Sequence, residues 1–132
     1  GNRIPKIYKF KTRHKPIRKR RKKKMVLETF TFTNKNKAHT LKIKPLTTPI
    51  QKTIGLMFKK NSPPLLFIFK KPTRQPIHSF FCKPFIAIWL NKENQIIEKK
   101  LIKPYQISIK PKQKFTKLLE IPQNNPNFQK IL

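Results

Sequence analysis

The feature that most constrains this chain is its charge imbalance. Among 132 residues, 33 are Lys or Arg, four are Glu and none is Asp, which gives a formal net charge of +29. Because four carboxylates cannot pair with 33 cations, most of the cations must lie on the surface of any fold. Eleven Phe and many Ile still permit a small core, although the hydrophobic fraction is only 36%. Because these cations repel one another, the charge predicts a polyanionic partner and argues against a free-standing cytosolic enzyme.

The cations are densest in residues 1–24, which hold 13 of the 33 and no acid. Five of the six Arg lie there, and the segment ends in seven consecutive cations, residues 18–24. Such a block cannot collapse alone, and Pro5 and Pro16 oppose a continuous helix. We therefore predict an extended basic arm over residues 1–24, a compact β-rich domain over residues 25–122 and an irregular C-terminal tail over residues 123–132.

The body contains short segments in which apolar residues alternate or run together, a pattern typical of strands. Strands are predicted at residues 26–33, 39–44, 65–69, 77–81, 85–90, 95–101, 105–109 and 115–121, with turns at residues 34–37 and 91–94. One amphipathic helix is predicted from Thr48, a suitable N-cap, to Lys60. The predicted fold class is α+β: a small, mostly antiparallel β-barrel-like domain of seven or eight short strands with one amphipathic helix, plus the extended arm.

Nucleic acid is the partner that the basic arm favours, because phosphates attract cations and rings stack on unpaired bases. In the arm, the residues predicted to bind RNA are Arg3, Lys6, Tyr8, Lys9, Phe10, Lys11, Arg13, His14, Lys15, Arg18, Lys19, Arg20, Arg21, Lys22, Lys23 and Lys24. In the body, a second basic surface is predicted at Lys59, Lys60, Lys70, Lys71 and Arg74. The alternatives are a nuclear-localisation-like address or a solvated tail for the arm, and merely solvated lysines for the body.

Other chemistry finds little support in the sequence. Four scattered Glu make no carboxylate pair, the single Cys82 excludes an internal disulfide and a Cys-based zinc site, and two Gly make no phosphate-binding glycine loop. His39, His78 and Cys82 are interpreted as structural. The longest apolar run, residues 85–90, is too short to cross a bilayer, and we do not expect the basic N-terminal segment to be a secretory signal. We expect no catalytic or metal site, no cofactor, no small-molecule substrate and no membrane partner.

Several ordered segments resemble the domain-of-unknown-function 192 family. They cover roughly residues 40–122, and their order and spacing carry the resemblance. Residues 54–60 (IGLMFKK) resemble the family's "G-L-M-F-R" helix end, and residues 65–69 (LLFIF) resemble its "M-L-F-V-F" strand. Residues 77–82 (IHSFFC) resemble its "S-F-W-M" strand, in the "H-S-F-F-M" form of archaeal members, and residues 85–91 (FIAIWLN) resemble its "I-D-x-I-F-L-D" segment. Residues 103–104 match its "K-P", and residues 118–122 (LLEIP) resemble its "V-I-E-L-P".

The resemblance implies a compact, mostly β fold with one or two helices and no established enzymatic chemistry. This chain departs from the family's pattern at three positions: Ile86 stands for a central Asp, Asn91 for the following Asp and Lys59 for the usual Arg. If the acidic position serves a ligand in the family, that function is lost here. The basic arm lies outside the resemblance.

These observations predict a non-catalytic ribosomal or ribosome-associated protein in the cytoplasm, with rRNA and neighbouring ribosomal proteins as partners. RNA is favoured over DNA because no helix-turn-helix, zinc finger or basic zipper is present. A long basic arm on a small basic body also suits insertion into folded RNA, where the arm orders on assembly. The alternatives left open are a chromatin-type DNA-binding protein and a small ligand-binding or enzymatic domain.

Overall fold

The computed structural model describes residues 26–48, 55 and 61–132. The predicted arm and nearly all of the predicted amphipathic helix lie outside these residues. The described elements are β1 (Glu28–Asn34), β2 (Lys37–Leu46), β3 (Leu65–Thr73), β4 (Phe85–Leu90), β5 (Ile96–Ile102), β6 (Phe115–Pro122) and a short helix α1 (Phe128–Ile131).

The six strands form one sheet in the order β1-β2-β3-β6-β4-β5. Among these strand pairs only β2 and β3 run parallel. The sheet curls into a half-barrel whose outer strands meet at one point, where the Thr33 amide donates to the Asn94 carbonyl oxygen at 2.9 Å and Thr33 bridges Gln95. The prediction of a mostly antiparallel, barrel-like β domain is confirmed, but the described residues contain six strands rather than seven or eight.

The most completely buried strand is β4, whose six side chains are all buried. Ile86, Ile88 and Leu90 face one core cluster, and Phe85, Ala87 and Trp89 face a second cluster on the other side of the sheet. A strand covered on both faces needs an apolar residue at every position, which is why the longest apolar run of the sequence becomes the strand that is buried on both faces.

Both predicted turns are confirmed. The β1–β2 turn places Lys35 and Asn36 at φ values of 50° and 65°, and two successive left-handed residues are what a type I′ hairpin requires. In the β4–β5 turn, the Asn91 side-chain oxygen accepts hydrogen bonds from the amides of Glu93 (3.0 Å) and Gln95 (2.9 Å). These side-chain contacts replace backbone pairing where the chain reverses.

Two predicted strands are wrong. Residues 77–81 and 105–109 form no ladder and share only one bridge, between Ile77 and Ile109. Left-handed φ values at Phe81 (61°) and Tyr105 (62°) turn the chain out of an extended path. Both segments belong instead to two loops: loop A, residues 74–84 between β3 and β4, and loop B, residues 103–114 between β5 and β6.

The predicted irregular tail also needs correction, because residues 128–131 form helix α1. Phe128 and Ile131 of this helix are buried in the first core cluster beside Phe32. The Lys99 ammonium donates a hydrogen bond to the Ile131 carbonyl oxygen at 2.8 Å and holds the end of the helix on the sheet. The C-terminal segment therefore completes the core.

Candidate nucleic-acid interface

Most cations of the described residues lie on the surface without a carboxylate beside them. This part of the chain has 17 Lys and Arg, of which 15 are exposed and two, Lys44 and Lys117, are half-buried. Within the same residues one salt bridge forms, from Lys100 Nζ to Glu98 Oε2 at 3.3 Å. The positive charge of the body is therefore not neutralised internally and is available to an anionic partner.

Of the two acids nearest the loops, Glu98 stays ionised but is paired with Lys100, and Glu120 is buried. Burial opposes ionisation of Glu98, but hydrogen bonds from the Lys112 amide and the Lys100 ammonium lower the pKa of its carboxyl overall. Glu120 lies on β6 between Leu65 and Ala87 of the neighbouring strands and is only 5% exposed. Burial raises the pKa of Glu120 to about 8, so the neutral acid predominates near pH 7.

Loops A and B present a group of rings to solvent. Phe80 is 37% exposed, Phe81 is 54% exposed and Tyr105 is 70% exposed. The Phe80 ring centroid lies 5.5 Å from that of His78, 6.5 Å from that of Phe81 and 6.4 Å from that of Tyr105. We call these four residues, His78, Phe80, Phe81 and Tyr105, the aromatic patch.

Buried Ser79 holds the patch in place. Its hydroxyl donates to the Lys103 carbonyl oxygen at 2.6 Å and accepts from the Gln106 amide at 2.8 Å. Its own amide donates to the Gln106 carbonyl oxygen at 2.9 Å, and its carbonyl oxygen accepts from the amides of Tyr105 (3.1 Å) and Cys82 (3.2 Å). One residue of loop A thus fixes the position of loop B, and its buried polar groups are satisfied.

Two further contacts join the loops. Ile77 and Ile109 exchange backbone hydrogen bonds of 2.8 and 2.9 Å. The Arg74 guanidinium donates two hydrogen bonds to the Pro111 carbonyl oxygen, at 3.1 Å from Nε and 2.9 Å from a terminal nitrogen. Loops A and B therefore behave as one bonded unit over the second core cluster.

Three residues of this unit have a left-handed backbone, and two of them, Phe81 and Tyr105, lie in tight turns. Phe81, Tyr105 and Ser108 have φ values of 61°, 62° and 55°, a region that costs free energy for residues with a Cβ atom. Such strain persists only where surrounding contacts over-determine the backbone, and it concentrates at functional sites. In this unit, the hydrogen bonds of Ser79 are the contacts that fix the backbone conformation.

The two loops are also purely basic. Their cations are all exposed, and neither loop contains Asp or Glu. The six cations are Arg74, Lys83, Lys103, Lys110, Lys112 and Lys114. Exposed rings on loops whose charged residues are all cations suit a ligand that combines flat bases with phosphates.

The structure places the sequence-predicted site residues unevenly. The predicted RNA-binding residues of the arm, together with Lys59 and Lys60, lie outside the described residues. Lys70 and Lys71 are exposed at the end of β3, and exposed Arg74 uses its guanidinium to tie loop A to loop B. Arg74 thus has a positioning role that the sequence did not indicate.

The aromatic patch itself was missed by sequence reasoning, which assigned its residues to strands. A signal was present: the pair Phe80-Phe81 lies between Arg74 and Lys83 in a segment with a Pro near each end and no acid. Adjacent Phe residues on one strand point to opposite faces, so both are buried only where the strand is covered on both sides, as β4 is.

Loop A contains the single thiol of the chain, Cys82. Burial and, secondarily, the nearby Glu120 carboxyl raise the pKa of the Cys82 thiol to about 11, which makes it a poor nucleophile. The described residues contain no group of three or more His, Cys, Asp or Glu placed to bind a metal ion. Nor does any described helix have the length and apolar character needed to cross a membrane.

No family model and no curated protein matches this chain. Among solved structures, the chain is similar to a protein of unknown function from Novosphingobium aromaticivorans DSM 12444, with a TM-score of 0.65 and 16% identity over 74% of each chain. It is also similar to a protein from Sinorhizobium meliloti 1021 described as a "putative transcription regulator", with a TM-score of 0.63 and 18% identity over 73% of this chain and 79% of that one. At these identities, the likeness shows a shared fold alone.

Proposed function

We propose that this protein is a non-catalytic ribosomal or ribosome-associated protein that binds rRNA through its basic arm and the basic surface of its body. The observation that carries the proposal is the single salt bridge among the 17 cations of the described residues. Unpaired like charges repel one another and destabilise the isolated fold. On RNA the same charges displace condensed counterions, which makes binding favourable and strongly salt-dependent.

The distribution of the cations supports folded RNA over a flat or one-sided partner. Exposed cations occur at the β1–β2 turn (Lys35), in loop A, at the β4–β5 turn (Lys92), in loop B and on α1 (Lys130). A bilayer or a straight duplex contacts a small protein through one face. Folded rRNA surrounds it with phosphates on several sides, together with neighbouring ribosomal proteins, and such a protein resides in the cytoplasm.

We also propose membership of the domain-of-unknown-function 192 family. Three of the resembling segments, residues 65–69, 85–91 and 118–122, fall on β3, β4 and β6. These strands are adjacent at the centre of the sheet. The resemblance therefore concerns residues that build one continuous core.

Sucrose-gradient fractionation of cells that contain the full chain tests the ribosomal proposal. We expect the protein to sediment with a ribosomal subunit at low salt and to be released at high salt, because phosphate contacts weaken as salt rises. Migration entirely with free protein at low salt would refute the proposal. Sedimentation with DNA after ribonuclease treatment would instead favour the chromatin-type alternative.

The role proposed for the arm has its own test in quantitative RNA binding. Replacing the five clustered Arg by Ala should weaken binding to a structured rRNA fragment and flatten the dependence of affinity on salt. The matched control replaces the same five by Lys, which keeps the charge and should keep most of the slope. An unchanged slope in the Ala variant contradicts the role of the arm. The five residues are Arg3, Arg13, Arg18, Arg20 and Arg21.

A further inference from the structure

We propose that the aromatic patch is a stacking site for unpaired RNA bases, with the cations of loops A and B contacting the flanking phosphates. This inference rests on the proposed function and specifies the RNA that this part of the body contacts. The ligand is a single-stranded stretch, such as a loop, a bulge or an end, rather than a duplex.

The first argument is exposure. The large rings of the sheet are buried: Phe32, Phe85, Trp89 and Phe115 are each at most 1% exposed. The rings of Phe80 and Tyr105 remain in contact with water even though the fold has a core that accommodates large aromatics. Contiguous exposed apolar surface on a small protein marks an interaction site.

The second argument is the arrangement of the rings. Phe80 and Tyr105 lie 6.4 Å apart with their planes at 60°, and His78 is tilted by 38° from Phe80. Tilted rings do not cover each other's faces, so Tyr105 in particular keeps a face open to a base. Bases in single strands stack on such rings without strong sequence preference, since every base has a π-face.

The third argument is rigidity. Ser79 joins the two loops through hydrogen bonds that involve both its side chain and its backbone. Phe81 and Tyr105 are therefore held at φ values that a free chain would rarely adopt. Rings positioned before binding cost less ordering entropy when a ligand arrives.

The fourth argument is charge. All six charged residues of the two loops are cations, so the loops themselves offer only attractive charges to phosphates on either side of a stacked base. A partner that is only acidic would leave the rings without a contact, and a partner that is only apolar would leave the cations without one. RNA is also the partner to which the rest of the molecule is proposed to bind.

The test measures the affinity of the full chain for a short oligouridylate and for an RNA duplex with the same number of phosphates. The variants are Tyr105→Asn and Phe80→Ala. Asn is chosen at position 105 because it tolerates a left-handed φ, so the loop is expected to keep its backbone. Each variant should lower oligouridylate affinity about 10-fold and leave duplex affinity and its salt slope unchanged.

Two controls separate stacking from folding and from general apolarity. Tyr105→Phe keeps the ring and should bind oligouridylate as the unmodified chain does. Leu101→Thr removes a side chain that is 46% exposed on β5, outside the loops, and should leave both affinities unchanged. Circular dichroism checks the fold, and Tyr105→Gly serves as a second variant that also fits a positive φ.

The outcomes are distinguishable. If both polynucleotides bind but Tyr105→Asn and Tyr105→Gly lower neither affinity, or lower both equally, the stacking site is overturned while the proposed function stands. If the full chain binds neither polynucleotide at low salt, both fail. If loss of Tyr105 lowers binding to phosphatidylserine vesicles and not to oligouridylate, the patch is a membrane site and the proposal is overturned.

Discussion

The β1–β2 hairpin and the unit formed by loops A and B contain the same ingredients and use them differently. Both have aromatic rings, exposed cations and residues with positive φ. In the hairpin, Phe32 is buried and stacks on His39 with ring centroids 5.2 Å apart. In the loops, the Tyr105 ring lies mostly in solvent.

The difference lies in what the positive φ angles accomplish. At Lys35 and Asn36 the positive φ angles close a two-residue turn. The alternation of side chains along β1 then directs Phe32 into the half-barrel. At Phe81 and Tyr105 the positive φ angles also occur in tight turns, but here the left-handed residues themselves carry the rings, and these rings are exposed. Similar composition therefore builds a core in one region and a candidate binding surface in the other.

The largest expected effect separates the two regions by stability. Phe32→Ala should lower the free energy of unfolding by about 3–5 kcal/mol, because a large buried ring leaves a cavity. Tyr105→Ala should lower it by less than about 1 kcal/mol, as for other exposed positions. Urea denaturation of both variants measures this, and equal losses would show that the loop ring is part of the core.

Protonation of Glu120 gives the next effect. Its pKa of about 8 in the fold lies above the ordinary 4.5, so the folded state binds the proton more tightly than the unfolded state does. The resulting stability is fully present below pH 4.5 and is lost as pH rises through 8. The free energy of unfolding should therefore fall by a few kcal/mol across this window.

Denaturation across this pH window, with and without Glu120→Gln, checks the assignment. The Gln variant removes the titrating group and should flatten the decline. Glu93→Gln, on the exposed β4–β5 turn, is the matched control and should keep it. A decline that survives Glu120→Gln would assign it to another group.

A smaller effect compares hydrogen bonds in the two regions. Ser79→Ala leaves the Gln106 amide and the Lys103 carbonyl without their buried partner and should cost about 1–3 kcal/mol. Thr31→Ala removes an exposed bond to Thr40 in the hairpin, 2.8 Å between hydroxyl oxygens, and should cost less than about 1 kcal/mol. Thermal unfolding and hydrogen exchange at Gln106 measure the difference. Equal costs would mean that the Ser79 hydroxyl stabilises the loops no more than the exposed Thr31 hydroxyl stabilises the hairpin.

The smallest effect tests strain directly. Tyr105→Gly and Lys35→Gly each remove a side chain from a left-handed position and should stabilise the fold by up to about 1 kcal/mol. Only Tyr105→Gly should also reduce oligouridylate affinity, because only that position presents a ring. Chemical denaturation measures the change in stability of each variant, and RNA titration measures its oligouridylate affinity. Loss of RNA binding in the Lys35 variant alone would reverse the assignment of the site.

The sequence predicts those structural features that depend on residues close together in the chain, and it fails for features that depend on distant residues. β4 and the two turns follow from residues adjacent in the chain, and their predictions are confirmed. The alternation in residues 105–109 looks equally strand-like, yet a strand also needs a partner edge, and Ile109 finds only Ile77. Ser79 bonds to residues 24 and 27 positions away, so no local pattern reveals that loops A and B form one unit.

The candidate site was therefore predictable only in part. Its charge is visible in the sequence, because a shortage of acids does not depend on the fold. The aromatic patch is not, since Phe80 and Tyr105 occupy strand-like positions in the sequence, and the left-handed backbone at Phe81 and Tyr105 appears only in the structure. The proposed RNA-binding role of the arm stays a prediction from its charge.

The most direct test of the central claim, that the unpaired cations serve RNA phosphates, is the salt dependence of binding. Affinity of the full chain for a structured rRNA fragment would be measured from low to moderate salt. We expect the logarithm of the affinity to fall with the logarithm of salt concentration at a slope steeper than about −4, as for at least six phosphate contacts. A slope near zero, or no binding at low salt, would contradict the account.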